Sequence, residues 1–145
     1  LQGIPRGAYQ TPPLSGDLQF PIRGMFYYPW YPQTWTVNGA ISKFEPQLGF
    51  YSSGDPLIVE EHLDMLEYAH TDLGIASWWG ADTNLDKARI TLLMDMTLQI
   101  GSNIKWTIYH EDEFHEDASA EQIRKDLAYL KEWFGWHPTW AHIDG

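Results

Sequence analysis

The sequence predicts a parallel α/β fold made of three strand–helix units, and three observations predict it. Short apolar runs alternate with longer stretches of helical periodicity, in the order strand, helix, strand, helix, strand, helix. Start and stop signals bracket the helical stretches. One strand, "LGIASWWG", is apolar without alternation, as expected where a parallel sheet is covered on both faces. Each helix is then a crossover that returns the chain to the same sheet direction. A closed (β/α)8 barrel needs eight such units and about 250 residues. If the sheet closes into such a TIM-type barrel, residues 25–145 are its N-terminal portion and the barrel is incomplete, behind an extended leader at 1–24 that holds four Pro and four Gly.

The first strand is read around Met25 to Tyr28 in "RGMFYYPWY", where Pro29 ends it because proline cannot donate to a central ladder. Trp30 and Tyr31 then lie beyond its C-terminal end. A connection too long for a turn follows, and long loops often carry function. The first helix begins at "SGDP", with Asp55 as N-cap, Pro56 as first helical residue, and Glu60 and Glu61 near the positive end of the helix dipole. Val59, Leu63, Leu66 and Ala69 form its expected apolar stripe. The second strand is "LGIASWWG". The second helix starts near Asn84, with Leu85, Ala88, Leu92, Leu93, Met96 and Ile100 at helical spacing and Gly101 just past its end. "NIKWTIYHE" is the third strand. Ser119 and Gln122 make an S-x-x-Q capping pattern for a third helix whose stripe would be Ile123, Leu127, Leu130 and Phe134.

Composition narrows the function. With 145 residues and 43% hydrophobic content the chain can bury a core, and a net charge of -11 repels phosphate backbones and anionic lipid. Nucleic acid and membrane are not expected as partners. There is no cysteine, which removes disulfides, thiolate metal sites and cysteine nucleophiles. G-x-G-x-x-G, Walker A and G-x-S-x-G patterns are absent too, so no cofactor is expected. The informative figure is 15% aromatic residues, with 8 Trp and 8 Tyr. Rings gathered at strand ends suit carbohydrate, because the apolar face of a pyranose stacks on a flat ring while polar neighbours take its hydroxyls.

The stretch "YHEDEFHEDAS" invites a zincin reading, but its histidines are at i and i+5. That spacing puts them roughly 140° apart on a helix, against about 40° for a true H-E-x-x-H. A loop metal site from His110, Asp112, Glu113 and His115 stays open as an alternative, set against the plainer reading of an acidic, solvated loop. Strand parity singles out one residue. Ile104, Trp106 and Ile108 suit the helix-covered outside, which turns Lys105, Thr107, Tyr109 and Glu111 inward. Glu111 then sits at the C-terminal end of a strand, where parallel sheets and barrels hold ligands, and is the catalytic candidate. His110, on the opposite parity, reads as structural.

The same parity applies to the aromatic pairs Tyr27–Tyr28 and Trp78–Trp79: one ring of each should face the barrel interior and the other should pack under helices. Tyr28, Trp30 and Trp79 are the substrate-binding candidates. Asp82, in the following loop, is a hydroxyl-binding candidate or simply the start of the next helix. Trp133, Trp136 and Trp140 read as packing.

Taken together, "FYYPWY", "EPQLGFYSSGDPLIVEEHLDMLEYA" and "GIASWWG", followed by a strand ending in Glu111, resemble the N-terminal half of glycoside hydrolase family 99 and its relatives, which include endo-α-mannosidases. The resemblance runs from about Met25 to Gly145. It implies a (β/α)8 barrel that cleaves α-mannoside linkages with retention, the sugar's own 2-hydroxyl serving as nucleophile through an epoxide. It matches Glu111 to a substrate-contacting carboxylate, Trp79 to a ring beside the sugar and Tyr28 to an aromatic of the first strand. The family's pattern near Glu111 is "HIEPY"-like where this chain has "IYHEDE". Its main carboxylate pair lies on later strands, beyond Gly145, and "HPTWAHIDG" resembles the segment just before the fourth strand.

The expected function is a glycoside hydrolase acting on α-linked, mannose-containing polysaccharide or glycan, with this chain as its substrate-binding part. The alternatives are a noncatalytic carbohydrate-binding half-barrel and a metal-dependent hydrolase using residues 110–117. Secretion is expected from a polysaccharide substrate, and self-association from the open edges of three parallel units.

Overall fold

The computed structural model of the chain describes residues 18–35, 44–81, 84–111 and 119–143, with the side chains of residues 84 and 85 outside the description. Three strands, β1 (Gly24–Tyr27), β2 (Leu73–Trp78) and β3 (Lys105–His110), lie side by side in that order. Both pairings are parallel, Phe26 aligning with Ile75 and Ile75 with Thr107. The crossovers run through α1 (Pro56–Tyr68) and α2 (Asn84–Ile100), and α3 (Ala120–Trp133) follows β3. This is the strand–helix repeat expected from the sequence, with β1 ending one residue before Tyr28.

Local chemistry sets the helix ends. The Asp55 side chain accepts from the Leu57 amide at 3.0 Å ahead of Pro56, and the Ser119 hydroxyl accepts from the Gln122 amide at 3.2 Å. After α2, Gly101 takes φ of 74°, a left-handed conformation that glycine adopts without a Cβ clash. Glu60 and Glu61 lie past the first turn of α1, where no acidic residue falls, so they are poorly placed for the dipole interaction expected of them.

The core lies between the sheet and the helices. Val59, Leu63 and Leu66 from α1 and Ile90, Leu93, Met94 and Met96 from α2 pack with Ala76, Trp78, Ile104 and Trp106. Each such aliphatic side chain contributes roughly 1.5–3 kcal/mol on burial. Trp106 is deeply buried, and its indole N–H donates to the Thr97 hydroxyl at 2.8 Å, which in turn donates to the Leu93 carbonyl at 2.6 Å.

Four residues of the expected stripes are exposed. Ala69 caps α1 and is exposed, because the helix ends before it. Ala88 is exposed because α2 turns Arg89 and Ile90 inward instead. Ile123 and Leu127 are 42% and 60% exposed, since the inward side of α3 is held by Asp126, Leu130 and Phe134. They line a cavity of about 310 Å3 with Thr107, Ile108 and Trp140, on the side of β3 away from β2. There the Trp106 amide donates to the Thr139 carbonyl at 2.8 Å and the Ala141 amide to the Trp106 carbonyl at 2.9 Å. Trp140 thus bridges Trp106 in parallel. This single parallel bridge lies within "HPTWAHIDG", the stretch that the sequence reads as preceding a fourth strand.

Candidate active site at the strand ends

The parallel register gives the sheet two chemically different faces. Tyr27, Trp78 and Trp106 lie on the helix side. The Tyr27 hydroxyl is paired with His62 Nδ1 of α1 at 2.9 Å, and burial pushes its phenol pKa up. Trp78 is fully buried, stacked on Tyr129 of α3 with ring centroids 5.9 Å apart. The other face carries Phe26, Tyr28, Ser77, Tyr109 and Glu111. Phe26 stacks with Tyr28 at 6.4 Å and meets Tyr109 edge-on at 5.3 Å. Each aromatic pair is therefore divided between the two faces, as alternation of side chains requires.

At the C-terminal ends of the strands the inner face becomes a ring-lined rim. Tyr28, Trp30 and Trp79 follow one another edge to face, with centroids 4.7 Å apart for the first pair and 5.9 Å for the second. Tyr28 is 42% exposed, leaving ring surface open to a ligand. Beside them Glu111 is only 8% exposed. Its backbone amide donates to the Trp78 carbonyl at 2.9 Å, which holds the residue in register just past β3.

One buried hydroxyl joins these groups. Ser77, wholly buried on β2, donates to Glu111 Oε1 at 2.8 Å and accepts from Trp30 Nε1 at 2.9 Å. The three strand ends are thus tied by two hydrogen bonds. Sequence reasoning passed over Ser77, since a lone serine in an apolar strand carries no motif. Its shared strand parity with Trp79, the ligand-side candidate two residues on, was the signal available.

α2 sets the rim from behind. Asp86 Oδ2 accepts from the Trp79 amide at 3.1 Å. Arg89, buried, donates to the carbonyls of Pro29 and Tyr31 and to Gln33 Oε1. Burial lowers the Arg89 pKa from its ordinary value, and nearby Asp86 acts in the opposite sense to support the charge. Described residues at both ends of the long connection, Trp35 and Ser53, meet the same rim. The Ser53 amide donates to the Tyr31 carbonyl at 2.9 Å, and Tyr31 stacks on Trp35 with centroids 3.7 Å apart.

Of the sequence-derived candidates, Glu111, Trp30, Trp79 and Tyr28 converge at one edge of the sheet, and Asp82 lies outside the described residues. His110 points the other way, to Asp126 Oδ2 at 3.0 Å. The remaining residues of the 110–117 cluster, apart from Glu111, also lie outside the description, and no group of three His, Cys, Asp or Glu able to hold a metal occurs among the described residues. Trp140 stacks on Phe134 at 6.3 Å, and Trp133 lies under the Lys87 ammonium. Both make packing contacts.

Comparison with known proteins gives a consistent picture. The family model for glycosyl hydrolase family 99 matches residues 29–145. A glycoprotein endo-α-1,2-mannosidase of Mus musculus is 28% identical over 101 residues, covering 68% of this chain and 21% of the relative, and the Rattus norvegicus protein of the same name is 27% identical over the same span. Among solved structures, an endo-α-mannosidase of Bacteroides thetaiotaomicron in complex with bis-tris-propane superposes with a TM-score of 0.70 at 27% identity, covering 86% of this chain and 39% of that one. A second structure of the enzyme from that organism gives a TM-score of 0.71 at 24% identity, covering 85% and 42%. This chain therefore spans about a fifth of the curated relatives and two fifths of the solved structures.

Proposed function

The chain belongs to glycosyl hydrolase family 99, and from that premise we propose that it forms the glycan-gripping part of a glycoside hydrolase acting on α-linked mannose-containing chains. The observation that carries this reading is the buried carboxylate of Glu111 beside an open row of rings at the strand ends. Trp30, Trp79 and Tyr28 offer flat faces to the C–H side of a pyranose. Glu111 accepts a sugar hydroxyl or exchanges a proton at the same place. Asp82 is assigned to a neighbouring hydroxyl on its place in the sequence. The names of the rodent relatives supply the linkage class, an α-1,2-mannosidic bond inside a glycan.

The test is hydrolysis of an α-1,2-linked mannose oligosaccharide by the native protein, read by chromatography of the released fragments. Internal cleavage is the expected result. Binding of the oligosaccharide without cleavage would leave the carbohydrate-binding reading in its place, and loss of cleavage with a chelator would favour the metal-dependent one. We also assign the protein to the extracellular side, where polysaccharide is met; fractionation of the producing cells tests that assignment.

A further inference from the structure

Ser77 has one proton and sits between two groups whose roles are set. The indole N–H of Trp30 can only donate, so Ser77 Oγ accepts there at 2.9 Å. Its own proton then goes to Glu111 Oε1 at 2.8 Å. The hydroxyl is wholly buried and cannot turn to water instead. A proton on Oε1 would face the Ser77 proton and break this order.

We propose that Ser77 is a positioning residue for Glu111: it holds Oε1 as an acceptor and so makes Oε2 the oxygen that meets the substrate and carries any proton exchanged with it. This deepens the hydrolase reading and rests on it for the word substrate, while the arrangement of the carboxylate itself does not. It also couples the two halves of the site. Trp30 is both a stacking ring and the donor that orients Ser77, so a ligand that shifts the ring acts on Glu111 through the hydroxyl.

Several ionisable groups stand on the described elements around the site. β1 and the residues just after it contribute Tyr27, bonded to His62, and the open Tyr28. β2 contributes none. β3 contributes Lys105, whose ammonium donates to the Pro138 carbonyl at 3.0 Å, Tyr109, edge-on to Phe26, and His110, bonded to Asp126. α2 contributes Asp86 on the Trp79 amide and Arg89 on the Pro29 and Tyr31 carbonyls. Ser77 is the described side chain that donates to the Glu111 carboxylate.

Removing a hydrogen bond made to the ionised form disfavours that form. The test is the titration of the Glu111 carboxyl carbon by 13C NMR in the native protein, its signal assigned by disappearance in Glu111→Gln. In Ser77→Ala the carboxyl carbon should titrate at higher pH than in the native protein. Trp30→Phe keeps a ring but removes the donor that orders the hydroxyl. It should give a smaller shift in the same direction, and it serves if Ser77→Ala does not fold. If hydrolysis is present, the acid limb of kcat/KM should move with the titration in both variants. An unmoved Glu111 titration in the variants overturns the proposal whatever the activity. A moved titration in a protein that cleaves no glycan supports the arrangement at Glu111 and overturns only the hydrolase reading.

Discussion

The guanidinium of Arg89 donates to the carbonyl oxygen of Tyr31 at 2.7 Å, so the helix that covers the sheet also shapes the aromatic rim beyond the C-terminal end of β1. The same side chain holds Pro29 and Gln33, three acceptors from one planar fork. A lysine offers a point charge on a flexible stem and cannot reproduce that geometry.

Arg89→Ala should therefore destabilise the protein by about 2–4 kcal/mol, because it strands buried carbonyls and removes packing together. Urea denaturation measures it. A change below about 0.5 kcal/mol would mean that water or neighbouring groups satisfy the rim without Arg89.

Glu111→Gln keeps an acceptor for Ser77 but loses the charge and the exchangeable proton. On the hydrolase reading, turnover of an α-mannoside by the complete protein should fall at least ~10²-fold, the usual contribution of a positioned acid or base. Near-normal turnover would reduce Glu111 to scaffold.

Trp79→Ala should weaken oligosaccharide binding by about 3–10-fold, from loss of one ring's stacking. Isothermal titration reads this directly. Unchanged affinity would place the sugar elsewhere on the rim.

Gly74 on β2 aligns with Trp106 on β3, and a Cβ at Gly74 would fall on the six-membered ring of that indole. With Trp106 deeply buried the ring has no room to withdraw. Gly74→Ala should cost about 1–3 kcal/mol, seen as a lower melting temperature. A melting temperature equal to that of the native protein would show that the ring can move.

Burial lowers the pKa of His62, which is paired with the Tyr27 hydroxyl, although Glu61 nearby acts to raise it. Its folded pKa therefore lies below the unfolded value near ~6.5, so the unfolded chain binds the extra proton first. The contribution of His62 to stability is full above about pH 6.5 and declines as pH falls from there toward the folded pKa. His62→Phe should flatten that part of the stability–pH curve. A slope left unchanged in the variant would assign the dependence to other groups.

Much of this organisation was legible in one dimension, for reasons that are local. Asp55 and Ser119 cap helices because their side chains reach amides two or three residues away, an interaction written within a few positions of sequence. Gly101 ends α2 through its own backbone freedom. Alternation along β1 and β2 divides Tyr27 from Tyr28 and Trp78 from Trp79, and along β3 turns Glu111 inward, because a strand has a fixed period of two. The grouping of Tyr28, Trp30, Trp79 and Glu111 at one sheet edge followed from parallel strands sharing one C-terminal end.

What the tertiary structure alone decided are the contacts between strands and helices distant in the chain. Ser77 and Glu111 are 34 residues apart, and Arg89 and Tyr31 58 apart, so no window of sequence contains either pair. The stripes misjudged Ala88, Ile123 and Leu127 because periodicity shows which residues share a helix face. It does not show which neighbour that face meets, and burial depends on the neighbour. Serine and arginine in otherwise apolar surroundings carry no pattern of their own. Their roles arise only when the sheet brings a carboxylate, an indole N–H or a row of carbonyls within hydrogen-bonding distance, and that distance is a property of the register and the helix packing.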